Sequence, residues 1–189
     1  MLVRRQAGLS AIALVGVVAG CTAGESGPPT VPPAAQTSTT EEVTSSAAAP
    51  SLTRTVSPEQ RRRLADLTPE QVCGLVDVGD LSALAFPVDS GHPREVGFAV
   101  RGCSFQARSG ERSVVIGAQP EGYGTLGREE VDLGPVRGSQ TLHASDCTVF
   151  VPVAGATLQV SVTAGETSAE QCQTAQHVAQ YVLAAVVQS

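Results

Sequence analysis

Cys147-Thr148-Val149-Phe150-Val151-Pro152-Val153-Ala154-Gly155-Ala156-Thr157-Leu158-Gln159-Val160-Ser161-Val162 is the stretch whose reading decides the fold. Two strand-like runs, Cys147 to Val153 and Thr157 to Val162, flank Ala154-Gly155 and read as a β-hairpin. In the second run Leu158, Val160 and Val162 alternate with Gln159 and Ser161. Successive strand side chains point to opposite faces, so the alternation predicts a sheet buried on one side only. Further runs at Phe98 to Phe105, at Ser113 to Ala118 and, more weakly, at Gln140 to His143 supply its other strands.

Helix signals bracket these runs. Ser57-Pro58-Glu59-Gln60 and Thr68-Pro69-Glu70-Gln71 each set a hydroxyl cap before Pro at N1 and Gln at N3, a capping-box arrangement. Val72, Leu75 and Val76 share a face after the second, and Gly79-Asp80 restarts a short turn through Leu81 and Leu84. After the hairpin, Ser168 caps a helix whose stripe is Cys172, Ala175, Ala179, Val182 and Val186, packed on the sheet. The expected fold class is α+β, an antiparallel sheet of about four to six strands with an N-terminal helix and a long C-terminal helix packed on it.

Cys73, Cys103, Cys147 and Cys172 are an even set and read as two disulfides. If the hairpin pairs about Gly155, residue 147 lies opposite about residue 163, and Cys172 follows one turn into the last helix. Cys147 and Cys172 are then neighbours, which leaves Cys73 to bridge to Cys103. Each bridge closes a loop of about 25 to 30 residues, worth about 3–4 kcal/mol in the chain-entropy model. The cysteines are widely spaced with no C-x-x-C pair, so no zinc site or other metal is expected.

The fifth cysteine has a different fate. Arg4 and Arg5 precede an uncharged run from Leu9 to Ala19, and Val18-Ala19-Gly20-Cys21 ends it with the pattern a lipoprotein signal peptidase reads. That run suits an export signal and is too short for a bilayer core of roughly 30 Å. Cys21 is therefore the expected lipid-attachment residue, since two acyl chains suffice for stable anchoring. The organisation that follows is a signal peptide over 1–20, a lipidated Cys21 with a Pro/Thr/Ser/Ala tether over 21–57, and a folded domain over 58–189. No aromatic residue precedes Phe86, and such a tether cannot offset its ordering entropy by burial. About 36 flexible residues reach roughly 30 to 35 Å. The expected location is the outer face of the cytoplasmic membrane, within the cell envelope.

The chain has 189 residues and a formal charge of −6, and losing Arg4 and Arg5 with the signal takes it to −8. That balance argues against nucleic acid as a partner and against a polybasic grip on anionic lipid. Arg61-Arg62-Arg63 is the one basic cluster and reads as the solvated face of a helix. Gly122-Tyr123-Gly124-Thr125-Leu126-Gly127 matches G-x-G-x-x-G, but Pro120 and Gly134-Pro135 deny it a βαβ context, so the glycines read as turn residues. His92, His143 and His177 share no ligand spacing. Ser145-Asp146 beside His143 invites a triad, against which stands the opposite facing of strand neighbours. Glu129, Glu130 and Asp132 read as a solvated loop. No catalytic residues and no cofactor are expected.

Leu67-Thr68-Pro69-Glu70-Gln71-Val72-Cys73-Gly74-Leu75, Gly102-Cys103-Ser104-Phe105, Asp146-Cys147 and Glu170-Gln171-Cys172 with Ala175 and Ala179 together resemble the small actinobacterial lipoproteins of domain-of-unknown-function family 3558. Phe105 stands where that family often carries Trp. The resemblance covers about 67–189 and implies a lipoprotein with disulfides, and no reaction. The expected role is a non-enzymatic binding module, partnered by the membrane through its lipid and by an envelope protein or small ligand. A carrier of a lipid or other hydrophobic ligand is the alternative, and a cell-wall hydrolase is a third reading. With four Phe, two Tyr and no Trp, the chain has few platforms for stacking sugars.

Overall fold

The computed structural model describes residues 52–96, 100–165 and 169–189. The chain divides into two units, residues 1–44 and 45–189, and every described residue belongs to the second. Cys21, the export signal and the tether up to residue 51 lie outside the described residues, as do Phe98 and Ser168.

The alternating runs build strands β1 (His92–Val96), β2 (Val100–Gln106), β3 (Ser113–Pro120), β4 (Glu129–Asp132), β5 (Arg137–His143), β6 (Asp146–Val153) and β7 (Ala156–Thr163). They form one sheet in the order β1-β2-β3-β7-β6-β5-β4, with every pairing antiparallel. Among the described residues the strands number seven rather than four to six, and the two unforeseen ones, β1 and β4, are its edges. In the hairpin Val153 pairs with Ala156 and Cys147 with Val162, one residue from the expected register. The pivot falls between Ala154 and Gly155 rather than on Gly155, which holds the left-handed φ of 70° that the turn needs.

Leu158, Val160 and Val162 lie opposite Ala118, Ile116 and Val114 on β3 and opposite Val151, Val149 and Cys147 on β6. All nine are buried, and burying each Val, Leu or Ile side chain contributes about 1.5–3 kcal/mol. On this inner face sits α3 (Ala169–Leu183), against β6 and β7. Its stripe of Cys172, Ala175, Ala179 and Val182 is buried, and a disulfide joins Cys172 to Cys147 with their Cα atoms 5.1 Å apart. Val186 lies beyond the end of α3 and is buried in a parallel bridge to Arg62.

A single N-terminal helix does not form. Thr68 and Gln71 complete their capping box, yet α1 (Pro69–Cys73) is only five residues long and ends at Gly74. Asp77 then accepts hydrogen bonds from the amides of Gly79 and Asp80 and opens a separate α2 (Val78–Leu84). The side-chain cap at Asp77 starts a new helix where the first would have continued. At the earlier signal the Ser57 hydroxyl bonds the Gln60 side chain and leaves the backbone uncapped, so Pro58–Gln60 makes one 3-10 turn. Arg61, Arg62 and Arg63 are exposed but not helical. They run extended between 3-10 turns, and Arg62 exchanges backbone bonds with Ala185 and Val187.

Two ties hold this irregular segment to the sheet. Cys73 bonds Cys103 on β2, with Cα atoms 5.0 Å apart. Arg101, two residues earlier on β2, donates through Nη1 to the Leu67 carbonyl and through Nη2 to that of Ala65. Leu158→Ala, in the fully buried centre of β7, should cost about 2–5 kcal/mol in urea denaturation. Leu142→Ala on β5, where the side chain is 44% exposed, should stay within about 0.5 kcal/mol of wild type.

Candidate functional site

The disulfide partners Cys103 and Cys147 both lie on the inner face, which places α1 and α3 on that same side of the sheet. The outer face carries Ser104 and Gln106 from β2, Ser113, Val115 and Gln119 from β3, then Gln159 and Ser161 from β7. Thr148 of β6 and Thr141 of β5 continue it. These side chains are short or uncharged, and a chain of hydrogen bonds links several of them. Gln119 donates to Gln159, and Gln159 Nε2 donates to the Ser161 hydroxyl at 3.0 Å. Ser161 and Thr148 hydroxyls meet at 2.8 Å, and Thr148 donates to Asp146 at 3.2 Å. Thr148 has one proton and gives it to the carboxylate, so Ser161 is the donor between the hydroxyls.

One end of the outer face is covered by the crossing segment 121–128, which carries the G-x-G-x-x-G motif. Gly122 holds φ 98°, and Tyr123–Thr125 forms a 3-10 turn rather than an α-helix. A Cβ on Gly124 would come within 3.1 Å of Pro152, and one on Gly127 within 2.3 Å of the Gln140 amide nitrogen. The buried Ser139 hydroxyl donates to the Gly124 carbonyl at 2.8 Å and accepts from the Gly127 amide at 2.9 Å. The motif is therefore a loop pressed onto β5 and β6, with its Leu126 amide bonded to Tyr123 and its Gly127 amide to Ser139.

A second region lies beside α3, where the strap of residues 52–57 crosses. Arg54 Nη1 donates to the Leu75 carbonyl, and the guanidinium lies 4.9 Å from the centre of the Tyr181 ring. The Tyr181 hydroxyl donates to the Asp80 carboxylate on α2. Burial, then the bond to Asp80, push the Tyr181 phenol above its usual pKa, against the opposing charge of Arg54. Strap and helices enclose an open cavity of about 470 Å³ lined in part by Arg54, Gln60, Arg62 and Gln71.

The structure disperses most of the residues singled out by sequence. His92 and His143 are exposed on β1 and β5, and His177 is half-buried on α3. His143 and Asp146 do share a face, because a turn separates them and they lie directly opposite in the β5–β6 ladder. The Asp146 carboxylate accepts from Thr148, and Ser145 stays in the turn. Glu129, Glu130 and Asp132 form an edge strand, not a loop, and alternate between its two sides. Glu129 accepts from Gln140 at 2.9 Å, and Asp132 from the Gly134 amide at 2.9 Å. Among the described residues no group of three His, Cys, Asp or Glu could hold a metal ion. Arg54, Tyr181 and Asp80 were not foreseen, since their neighbourhood joins positions up to 127 residues apart in sequence.

The family model described as "Protein of unknown function (DUF3558)" matches residues 16–185. No curated protein and no solved structure matches. Ser139→Ala would leave the Gly124 carbonyl and the Gly127 amide without their partner. It should cost about 1–3 kcal/mol by thermal or urea denaturation while leaving both disulfides intact in peptide maps.

Proposed function

The chain belongs to the DUF3558 family of proteins of unknown function, and from that premise we propose that it is a lipoprotein, anchored through Cys21 on the outer face of the cytoplasmic membrane, that acts as a non-enzymatic binding module of the cell envelope. The anchor rests on the sequence Val18-Ala19-Gly20-Cys21, and the family match, beginning at residue 16, takes in that segment. Among the described residues no helix is long and apolar enough to cross a membrane.

The observation that carries the binding role is the one-sided placement of the helices. Both disulfide-tied helices cover the inner face, and on the outer face of β3, β6 and β7 hydroxyl and carboxamide groups stand beside Val115, Phe150 and Pro152. Small-molecule sites are concave. This pleated surface suits another protein's surface better. Its polar groups already bond to one another, so covering them forfeits fewer bonds to water. The carrier alternative calls for an apolar cavity between sheet and last helix. There Val149 and Val160 on the sheet and Val178 and Val182 on α3 have no solvent exposure and fill the space.

Cys21→Ser should release the protein from the membrane into the soluble envelope fraction, and retention would refute lipidation as the anchor. A photo-cross-linking residue at Gln106 or Gln159 should capture one defined protein in native envelopes, whereas the same probe at Gln173, exposed on α3, should not. Equal capture at Gln173, or turnover by the purified chain that a point substitution in a pocket abolishes, would overturn the reading.

A further inference from the structure

The cavity beneath the strap is lined by donors. Arg54 commits one of its five N–H groups to Leu75, and the Arg62 guanidinium makes no hydrogen bond among the described residues. Neither arginine is ion-paired there, for the salt bridges join Arg63 to Asp66 and Arg108 to Asp89. The acceptor ends of both carboxamides are occupied. Gln71 Oε1 takes the Thr68 amide at 2.9 Å, and Gln60 Oε1 takes the Ser57 hydroxyl at 3.2 Å. Each carboxamide therefore keeps its NH2 as the group still to be satisfied. No acidic side chain lines the cavity, and the Leu75 carbonyl on its wall is already spent on Arg54. Asp80, reached through Tyr181, is engaged by the phenol and forms no ion pair with Arg54.

Two unpaired guanidiniums and two free amide donors stand together in a protein whose formal charge is −6. A surface dominated by acids would be expected to place a carboxylate there, and none lines the cavity. The charge that two arginines match is that of a phosphate monoester, about −1.5 to −2 at neutral pH, and guanidinium forks fit its oxygens in paired bonds. The remaining wall is Thr55, Val56, Gly74, Leu75 and Ala185, and about 470 Å³ exceeds what a phosphoryl group alone fills. We propose that this cavity binds a phosphoryl-bearing ligand, held by Arg54 and Arg62 with help from Gln60 and Gln71, with its body against Val56 and Leu75. The ligand is a soluble phosphate monoester or a phospholipid headgroup that is itself a phosphate monoester, as in phosphatidic acid, which presents the same three oxygens. The site does not depend on the anchor or on the open sheet face.

Tyr181 reports on it directly. The chain has no Trp and two Tyr, so Tyr123→Phe leaves Tyr181, under Arg54, as the one fluorophore. In the full chain carrying Cys21→Ser and Tyr123→Phe, inorganic phosphate should change tyrosine emission saturably, where chloride at equal ionic strength does not. An anion on Arg54 should also move the Tyr181 ionisation further upward, because it offsets the charge that lowers it. Arg62→Gln removes a guanidinium that makes no hydrogen bond or ion pair among the described residues and should weaken phosphate binding at least tenfold. Arg54→Gln should do the same or more, and Arg63→Gln, outside the cavity, should change little. Vesicles containing phosphatidic acid, against vesicles of phosphatidylcholine alone, separate the sources. Sedimentation with phosphatidic acid vesicles that Arg62→Gln abolishes assigns the site to a lipid headgroup. Phosphate saturation without Arg62-dependent sedimentation assigns it to a soluble ester. Absence of both responses, or a phosphate response that survives Arg62→Gln and Arg54→Gln, overturns the proposal even if Cys21 anchors the chain and the sheet face holds its partner.

Discussion

The pairing of β3 with β7 is the constraint on which the remaining structure depends. Strands β1 to β3 form one meander and β4 to β7 another, and the eight residue pairs from Ser113–Thr163 to Pro120–Ala156 are what make them a single sheet. Forming that seam sends the chain from the middle of the sheet to its far edge between β3 and β4. The distance is four strand spacings, about 19 Å, and the eight residues 121–128 extend to at most about 30 Å. One 3-10 turn uses up part of that length, so the segment must run close against the strands it passes. Hence Gly124 and Gly127 stand where a Cβ would collide with β6 and β5, and Ser139 bonds both of their peptide groups. The seam is also distant in sequence, so its closure entropy is paid before its contacts form.

The seam explains which parts of the fold were legible from sequence. Strands β3 and β7 bury their inner faces, β6 is buried on both, and all three are paired on both sides, so apolar residues mark them. The edge strands answer to a different requirement. An edge must discourage further pairing, and it does so with charge and proline. His92-Pro93-Arg94-Glu95 and Glu129-Glu130-Val131-Asp132 fit that rule and so carry almost no apolar period. The disulfide partners were accessible because a two-residue hairpin and the helix after it are local geometry. The capping box at Thr68 was accessible for the same reason. That α1 would stop after five residues was not, because Gly74 is ordinary in a sequence and the cap at Asp77 competes only once the chain has turned. The neighbours of Arg54 were invisible. Leu75 and Tyr181 meet it only after α3 has docked on the sheet.

The two faces of the sheet solve opposite problems. The inner face is filled by Val, Leu and Ile against α3 and closed by two covalent ties, and it supplies the stability. The outer face sets polar groups among Val115, Phe150 and Pro152, and its hydrogen bonds run one way from Gln119 through Gln159, Ser161 and Thr148 to Asp146. With every proton in that chain directed towards the carboxylate, each bond polarises the next. The surface is thereby stiffened.

The bond between Cys73 and Cys103 acquires a further meaning in a chain pulled from its N-terminus. The strap and the turns after it are held by the bonds of Arg54 to Leu75, of Arg62 to Ala185 and Val187 and of Arg101 to Ala65 and Leu67, and by the burial of Leu64 and Leu67. Such bonds yield one at a time, so tension would peel the segment from residue 52 onward. Peeling halts at Cys73, after a gain of about 70 Å of extended chain. Beyond that point the load passes through sulfur to β2, which is clamped between β1 and β3 and cannot be unzipped from its end. The disulfide thus acts as a mechanical stop, dividing the domain into an extensible lead and a sheet that keeps its shape under load.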